Sequence, residues 1–489
     1  VDTALPIEYH HKAYMESIPK DKLKRLAHIK RFAELLVGDP DFRQDLQENH
    51  QNTHIVAQKY HLEINIDHLR SFWHRAYMPK RRSKEEYLHS PLTVEWDIHL
   101  KNIRDHRDRM KTQNNIASKN EAFQLWRTRQ LLRCDDTLAA SAQGITHPSF
   151  AFELSEGCTV GCWFCGIAAD KFKGYFAYTK DNQKLWQDML YTLVNIFGVD
   201  TVKTAFCYWA TDPSDNPDYA SFIADFHHIT NFLPQTTTAR PVKDIAWTRK
   251  ILSLYERYKC VFNRFSITTL SQLKAVHKNF TAEELIGTEL VMQHKQALSS
   301  SCGKSPSGRV LQNIAKLKAA GKDIDKIKND LKLNDEHTTI ACVSGFLINP
   351  LTKTIKLVSP RASGLTYPLG YKVHEIKTFT SIESFRESIY QLIEQHMPTH
   401  MPNHYRIAFN KGIKGQLLNS GFQLIAQLRT LNINSYTDAE KIGQYLLSEH
   451  NKNKPYKLAL KELIQSGCNI FSACDILQSL YQYGVFEDE

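Results

Sequence analysis

Cys158, Cys162 and Cys165 stand in the run Glu156-Gly157-Cys158-Thr159-Val160-Gly161-Cys162-Trp163-Phe164-Cys165-Gly166. A C-x3-C-x2-C loop offers three thiolates to a [4Fe–4S] cluster and leaves the fourth iron without a protein ligand; clusters held for plain electron transfer usually have four cysteines. An open iron can be chelated by a small molecule, and S-adenosyl-L-methionine brings an amino group and a carboxylate for that purpose. Electron transfer into the bound sulfonium releases a 5′-deoxyadenosyl radical, chemistry that belongs to the cofactor while the protein orients it. Zinc also takes clustered cysteines, but a closed zinc site wants four ligands, often as two separated pairs. No second pair lies near this loop. Inert buried cysteines are common, yet three in eight residues among Gly157, Gly161 and Gly166 read as a loop wrapped closely around an inorganic core.

Phe150, Phe152 and Leu154 alternate with smaller or polar residues and predict a strand that delivers the chain into this loop. Helical periodicity follows at 183–196 and 219–230, interleaved with strand-like runs at 201–209, 235–239 and 261–267. Strand alternating with helix argues for parallel βα units of an α/β fold, here a partial (β/α)6 TIM-like barrel. Active residues of such barrels gather at the C-terminal ends of the strands. Four further residues fall there. Thr211 and Asp212 can accept from the ammonium of the cofactor's methionine, although Asp212 before Pro213 also reads as a turn cap. Arg240 can grip a carboxylate with its guanidinium fork, or form a plain surface ion pair. Ser266 can bond the ribose or the carboxylate. Within the loop, Trp163 and Phe164 offer rings for adenine, with core packing as the alternative. Cys342, in Ile340-Ala341-Cys342-Val343-Ser344-Gly345-Phe346, reads either as a small buried hydrophobe of an apolar strand or as a thiol able to give a hydrogen atom to a carbon radical. Cys207, Cys260 and Cys302 are weaker candidates for that role.

The rest of the chain frames these residues. At 489 residues it should hold two to four domains. Four regions are expected: a helical N-terminal region at 1–147, the barrel at 148–335, a β-hairpin extension with the substrate site at 336–400, and a helical, winged-helix-like module at 401–489. Leu23, Leu26, Ile29, Phe32 and Leu36 mark an amphipathic helix, with Asp39 or Asp41 as the cap of the next one. Residues 297–336 are polar and Lys-rich and read as a mobile or helical connector. A 42% hydrophobic and 23% charged composition is ordinary for a globular protein. There is no apolar stretch of the roughly 18 residues a membrane span needs. No secretory signal is read at the start, where Val1 in place of Met suggests processing or truncation. Ten cysteines without such a signal point to the reducing cytoplasm rather than to disulfides. The net charge of +10, concentrated in Lys80-Arg81-Arg82-Ser83-Lys84 and at 101–111, reads as solvated helical faces or as attraction to an acidic partner.

The runs 150–169, 208–219, 263–267 and 341–371, with Gly38-Asp39-Pro40-Asp41-Phe42-Arg43 within 32–46, together resemble the radical SAM peptide epimerases that mature proteusin (polytheonamide-type) precursors. The cluster motif is shared across the radical SAM superfamily; the other runs narrow the resemblance to the epimerases. It implies a radical SAM barrel flanked by an α+β peptide-binding region, and an isomerase that turns L-residues into D-residues in a ribosomally synthesised (RiPP) precursor peptide. The adenosyl radical would take a Cα hydrogen, and a cysteine, here Cys342, would return one to the opposite face. Ser359-Pro360-Arg361 is the other segment where a donor cysteine is expected, and it carries arginine. The implied partners are the precursor, held partly through its leader, and a reducing electron donor, with no nucleic acid or membrane. Thioether formation or C-methylation of a peptide is the rival within radical chemistry, and a non-catalytic, metal-stabilised peptide-binding protein the rival outside it. Only Cys468 and Cys474 stand near the C-terminus, too few for the auxiliary cluster set of thioether enzymes.

Overall fold

A computed structural model describes residues 6–76, 84–138, 142, 144–259, 263–299, 304–331 and 339–488. The basic residues 80–83, Cys260 and Cys302 lie outside the described residues. The chain begins in helices, among them Lys20–Gly38, Pro40–Glu48, Pro91–Asn114 and Glu121–Leu138. Leu26, Ile29 and Phe32 form the buried stripe of Lys20–Gly38. Asp39 then adopts an extended conformation and accepts from the Asp41 backbone N–H at 2.9 Å, and Pro40 opens the following helix. That is the expected cap, satisfying one of the helix's orphan donors. These helices pack on a later part of the chain, for Ala282 and Ile286 share their apolar cluster and the Arg31 guanidinium donates to the Phe280 carbonyl at 2.8 Å.

Two open sheets carry the parallel strands. Phe150–Phe152 pairs in parallel with Gly345–Asn349, Phe150 opposite Phe346, and the antiparallel strands Thr354–Pro360 and Tyr371–Thr378 extend that sheet. On the other side of Phe150–Phe152 the chain at Phe206 runs parallel, exchanging Phe152 N–H to Phe206 O at 2.8 Å and Phe206 N–H to Phe150 O at 3.1 Å. The second sheet places Asn263–Ile267 between Thr237–Thr238 and Thr288–Met292, all parallel. Helices Lys180–Phe197, Tyr219–Thr230, Ile245–Tyr258 and Leu270–Asn279 connect these strands and include the helical stretches read from the sequence. The architecture is mixed α/β with no closed sheet among the described residues. Aromatic rings fill the main core, with Phe150 stacked on Phe346 at 5.7 Å and Phe197 edge-on to Phe123 at 4.8 Å.

Two expectations are corrected. The strand expected at 201–209 contracts to the pairing at Phe206, because Val199–Val202 forms a helical turn in which the Thr201 hydroxyl donates to the Phe197 carbonyl at 3.0 Å. The connector at 297–336 takes the helical one of its two readings in Arg309–Ala319 and Ile324–Leu331. The tail, read as helical from about residue 403, first builds an antiparallel sheet of Lys414–Leu418, Gly421–Ile425 and Thr430–Ile433. The close approach of Thr430–Ile433 demands Gly421, where a Cβ would lie 2.0 Å from the Ile433 carbonyl oxygen. Phe422 and Leu424 alternate inward, onto helices Ala439–Leu447, Tyr456–Gln465 and Ile470–Gln482. No helix among the described residues is long and apolar enough to cross a membrane.

Candidate active site

The cysteine loop leaves the C-terminal end of Phe150–Phe152 and is closed at its neck by a two-residue ladder, Ser155–Glu156 against Gly174–Tyr175. Cys158 N–H donates to the Asp170 carbonyl at 2.9 Å, which brings the chain back on itself. Gly157 has φ +75°, and a Cβ there would sit 2.2 Å from the Lys171 oxygen, so only glycine fits this crossing. Inside the loop backbone donors turn toward sulfur: Val160 N–H lies 3.4 Å from Cys158 Sγ and Ala169 N–H 3.4 Å from Cys165 Sγ. Burial pushes the Cys158 thiol up, and pushes Cys162 up to about 12 with added repulsion from Cys158 and Cys165. A thiol raised in this way is relieved by a cation beside it, since a metal deprotonates a coordinating thiol. Among the described residues no three His, Cys, Asp or Glu side chains converge on a single ion. An iron–sulfur cube is the better fit to this set, because it takes its thiolates at separate corners and is tuned by N–H groups directed at sulfur.

The neighbouring strand ends converge on one another. Asp212, expected to face the cofactor, is buried and already accepts from Ser214 N–H at 2.9 Å, the Thr238 hydroxyl at 2.7 Å and Ala239 N–H at 2.7 Å. It ties the segment after Phe206 to the end of Thr237–Thr238, while burial pushes its carboxyl up against those three donors. The Thr211 hydroxyl beside it is buried and meets no hydrogen-bond partner among the described residues. Arg240 reaches the loop itself, donating from Nη1 to the Thr159 hydroxyl at 2.7 Å. Thr159 in turn donates its backbone N–H to Asp215 at 2.8 Å and its hydroxyl to the same carboxylate. Ser266 shares with Arg264 the half-buried face of its strand, opposite the buried Phe265 and Ile267. Phe164 stands edge-on to Trp163 at 5.5 Å, and the Lys304 ammonium lies 5.7 Å from its ring.

Cys342 does not lie on a strand as expected; the strand begins three residues later at Gly345. The Thr339 hydroxyl donates to the Gly370 carbonyl at 2.8 Å and accepts from Ala341 N–H at 3.0 Å, which draws the backbone out of any ladder. The segment passes from Gly166, where Ile340 packs so closely that a Cβ would lie 2.7 Å from its Cδ1, down to Pro148, whose carbonyl accepts Ser344 N–H at 3.1 Å. Cys342 therefore sits beneath the cysteine loop, in an apolar cluster with Ile167, Trp209 and Ala210. Burial pushes its thiol up to about 12, with the Arg264 charge pulling weakly the other way. Cys207 is fully buried in the main core. Arg361, at the alternative donor segment, is buried and held by Asp488 at 2.8 Å and Gln130 at 2.9 Å.

Two contributors to the loop escaped the sequence reading. Asp215, three residues beyond Asp212, anchors Thr159. Arg309, within the stretch read as a connector, donates from Nη1 to the Cys162 carbonyl at 2.7 Å. Its position was a signal: a cation in the first turn of a helix opposes the macrodipole and needs another reason to be there.

Fold and loop together define a mixed α/β protein with a three-cysteine centre at its parallel strand ends. No family model matches the chain. It is 36% identical over 486 residues to the uncharacterized protein y4wI of Sinorhizobium fredii (strain NBRC 101917 / NGR234), an alignment covering 99% of this chain and 91% of that one. The chain belongs to the family of that protein. Among solved structures, BtrN in complex with AdoMet and 2-DOIA aligns with TM-score 0.23 and 11% identity over 29% of this chain and 56% of that chain. That match spans little more than half of BtrN, and it is too slight to establish a shared fold.

Proposed function

We propose that the chain is a cytoplasmic radical SAM enzyme that epimerises residues of a ribosomally made precursor peptide. The observation that carries the reading is the cysteine loop: three thiols in mutual electrostatic reach, with backbone N–H groups 3.4 Å from two of the sulfurs. In this reading the parallel segments 150–152, 206, 237–238, 263–267, 288–292 and 345–349 are the strands of a partial (β/α)6 barrel whose C-terminal ends hold the site. Cys158, Cys162 and Cys165 hold the cluster. When bound, the cluster and S-adenosyl-L-methionine would supply, with an electron from a reducing donor, the radical chemistry that removes a Cα hydrogen.

The chain's own residues do the rest. The Thr211 hydroxyl, Arg240, Ser266 and Phe164 orient the cofactor around the loop, and Asp212, expected among them, ties together the strand ends that carry them. Cys342 returns a hydrogen atom. A donor of this kind must keep its S–H, and burial that pushes the thiol up to about 12 keeps it protonated at neutral pH. Arg361 is committed to Asp488, which favours Cys342 over the alternative segment as the donor position. The antiparallel sheet and helices at 414–482 are assigned to the leader of the precursor, since sheet edges and helix grooves are the common ways of holding a peptide.

The test is anaerobic incubation of reconstituted protein with precursor peptide, S-adenosyl-L-methionine and reductant in D2O. One added mass unit per modified residue, with D-residues on hydrolysis, is expected. Cys342→Ala should still cleave S-adenosyl-L-methionine but yield no stable D-residues. A loss of two hydrogens would instead indicate cross-linking and a methyl gain methylation. Zinc in place of iron would retire the radical reading.

A further inference from the structure

Ser307-Gly308-Arg309 brings the start of helix Arg309–Ala319 against the cysteine loop at closer range than any side chain would allow. A Cβ on Gly308 would lie 2.4 Å from the Gly166 oxygen, and one on Gly166 would lie 2.7 Å from Ser307 Oγ. From this point Arg309 spans the loop. Its backbone N–H donates to the Cys165 carbonyl at 2.8 Å, Nη1 to the Cys162 carbonyl at 2.7 Å, and Nη2 to the Ala169 carbonyl. One turn further along, Asn313 Nδ2 donates to the Trp163 carbonyl at 3.0 Å. The carbonyls of residues 162, 163, 165 and 169 therefore all point to one helix face, and two of them belong to the candidate iron ligands.

A guanidinium is always charged and presents a rigid fork. Held across carbonyls, it fixes the separation of the residues that own them, as a freely rotating ammonium would not. It also places a permanent positive charge behind Cys162, whose carbonyl it holds. The helix dipole opposes a cation in this turn, so surface packing alone does not account for its being here.

We propose that Arg309 is the positioning residue of the cysteine loop, fixing Cys162 and Cys165 for cluster ligation and raising the reduction potential of the cluster they hold. This rests on the cluster reading above. A positive charge near the cluster stabilises the reduced, more negative form. Charge and hydrogen bonding around the sulfurs are known levers on cluster potential.

The full chain, reconstituted anaerobically, is compared as wild type, Arg309→Met, Arg309→Lys and Asn313→Ala. Two readouts are followed: the rate at which an iron chelator strips the cluster, and the midpoint potential from an EPR-monitored titration. Groups that orient metal ligands typically contribute 10–100-fold in affinity, so Arg309→Met should lose its cluster at least about tenfold faster, and its midpoint should move to more negative potential. Arg309→Lys keeps the charge without the fork; it should stay near the wild-type midpoint while losing retention, and it decides the matter should Arg309→Met fail to fold. Asn313→Ala, a neutral change on the same face, should weaken retention slightly and leave the midpoint in place. If the wild type holds a four-iron cluster and Arg309→Met and Arg309→Lys match it in both readouts, this inference alone is overturned. If the wild type takes up zinc or no iron, the cluster reading falls first.

Discussion

The two ends of the Phe150–Phe152 sheet treat their polar groups in opposite ways. Beyond the N-terminal end of Gly345–Asn349, where the antiparallel neighbour Thr354–Pro360 finishes, buried charges pair with one another. Asp488 is held by Arg133 at 2.6 Å and Arg361 at 2.8 Å, and Arg133 adds a bond from Nε to the Phe486 carbonyl at 2.8 Å. His374, with its ring bonded to the Ser359 hydroxyl at 2.9 Å, is kept neutral by burial. At the opposite end burial pushes the Cys162 thiol up, with added repulsion from Cys158 and Cys165, the Thr211 hydroxyl meets no partner among the described residues, and glycines bring backbone to backbone. Folding alone would favour the first arrangement throughout, because an unsatisfied buried polar group costs about 1–3 kcal/mol. The contrast separates an end built for stability from an end built to receive a ligand.

Removing a thiol should break the comparison most sharply. Cys162→Ala takes away the thiol that feels both of its neighbours. Reconstituted protein should lose cluster absorbance and S-adenosyl-L-methionine cleavage entirely, while its thermal unfolding stays within about 1 kcal/mol of wild type. A variant that unfolds instead would make the loop a structural element.

At the other end the effect should be on stability only. Asp488→Ala leaves two buried guanidinium groups short of their carboxylate and should cost about 3 kcal/mol, with cluster uptake unchanged. Burial alone would push the Asp488 carboxyl up, but Arg133 and Arg361 outweigh it and hold it well below the ordinary carboxylate range. A depressed carboxylate stabilises the fold fully above its unfolded value, 3.8, and that contribution is lost as pH falls below it. Melting temperatures followed downward from pH 6 should therefore converge for wild type and variant below about pH 4. A gap that persists into stronger acid would show that the lost packing, not the ion pairs, carries the effect.

What the sequence made legible follows from range. The cysteine loop was readable because its three cysteines and its glycines lie within eleven residues, 156–166, and the Asp39 cap because its partner is two residues away. Helices Lys180–Phe197 and Tyr219–Thr230 repeat their apolar residues at local spacing, so they were readable too. Arg309 was not, for its contact with Cys162 spans 147 positions and local periodicity says nothing about it. The sheet at 414–433 was missed for a different reason: Lys414–Leu418 is almost wholly exposed, so its strand offers little inward alternation to count. Cys342 was placed in the right neighbourhood and on the wrong backbone, since β-propensity favoured a strand that Thr339 and Gly370 dismantle. Asp212 was placed at the right strand end, but no sequence pattern could reveal that Ser214, Thr238 and Ala239 would use its carboxylate.

Asp212 and Thr211 give the finest test of the contrast, because adjacent residues fall on its two sides. Asp212 is satisfied and its loss would read as a structural defect. The Thr211 hydroxyl is buried without a described partner, so replacing it by a methyl removes a desolvated group and keeps the shape. Thr211→Val should leave stability within about 0.5 kcal/mol of wild type or raise it slightly. If the hydroxyl is there to meet the cofactor, the same change should weaken S-adenosyl-L-methionine binding about 2- to 10-fold, the range expected for one hydrogen bond. Calorimetric titration of the reconstituted protein separates the cases. Weaker binding at unchanged stability assigns Thr211 to the ligand, whereas a loss of stability at unchanged affinity moves it to the same side as Asp212.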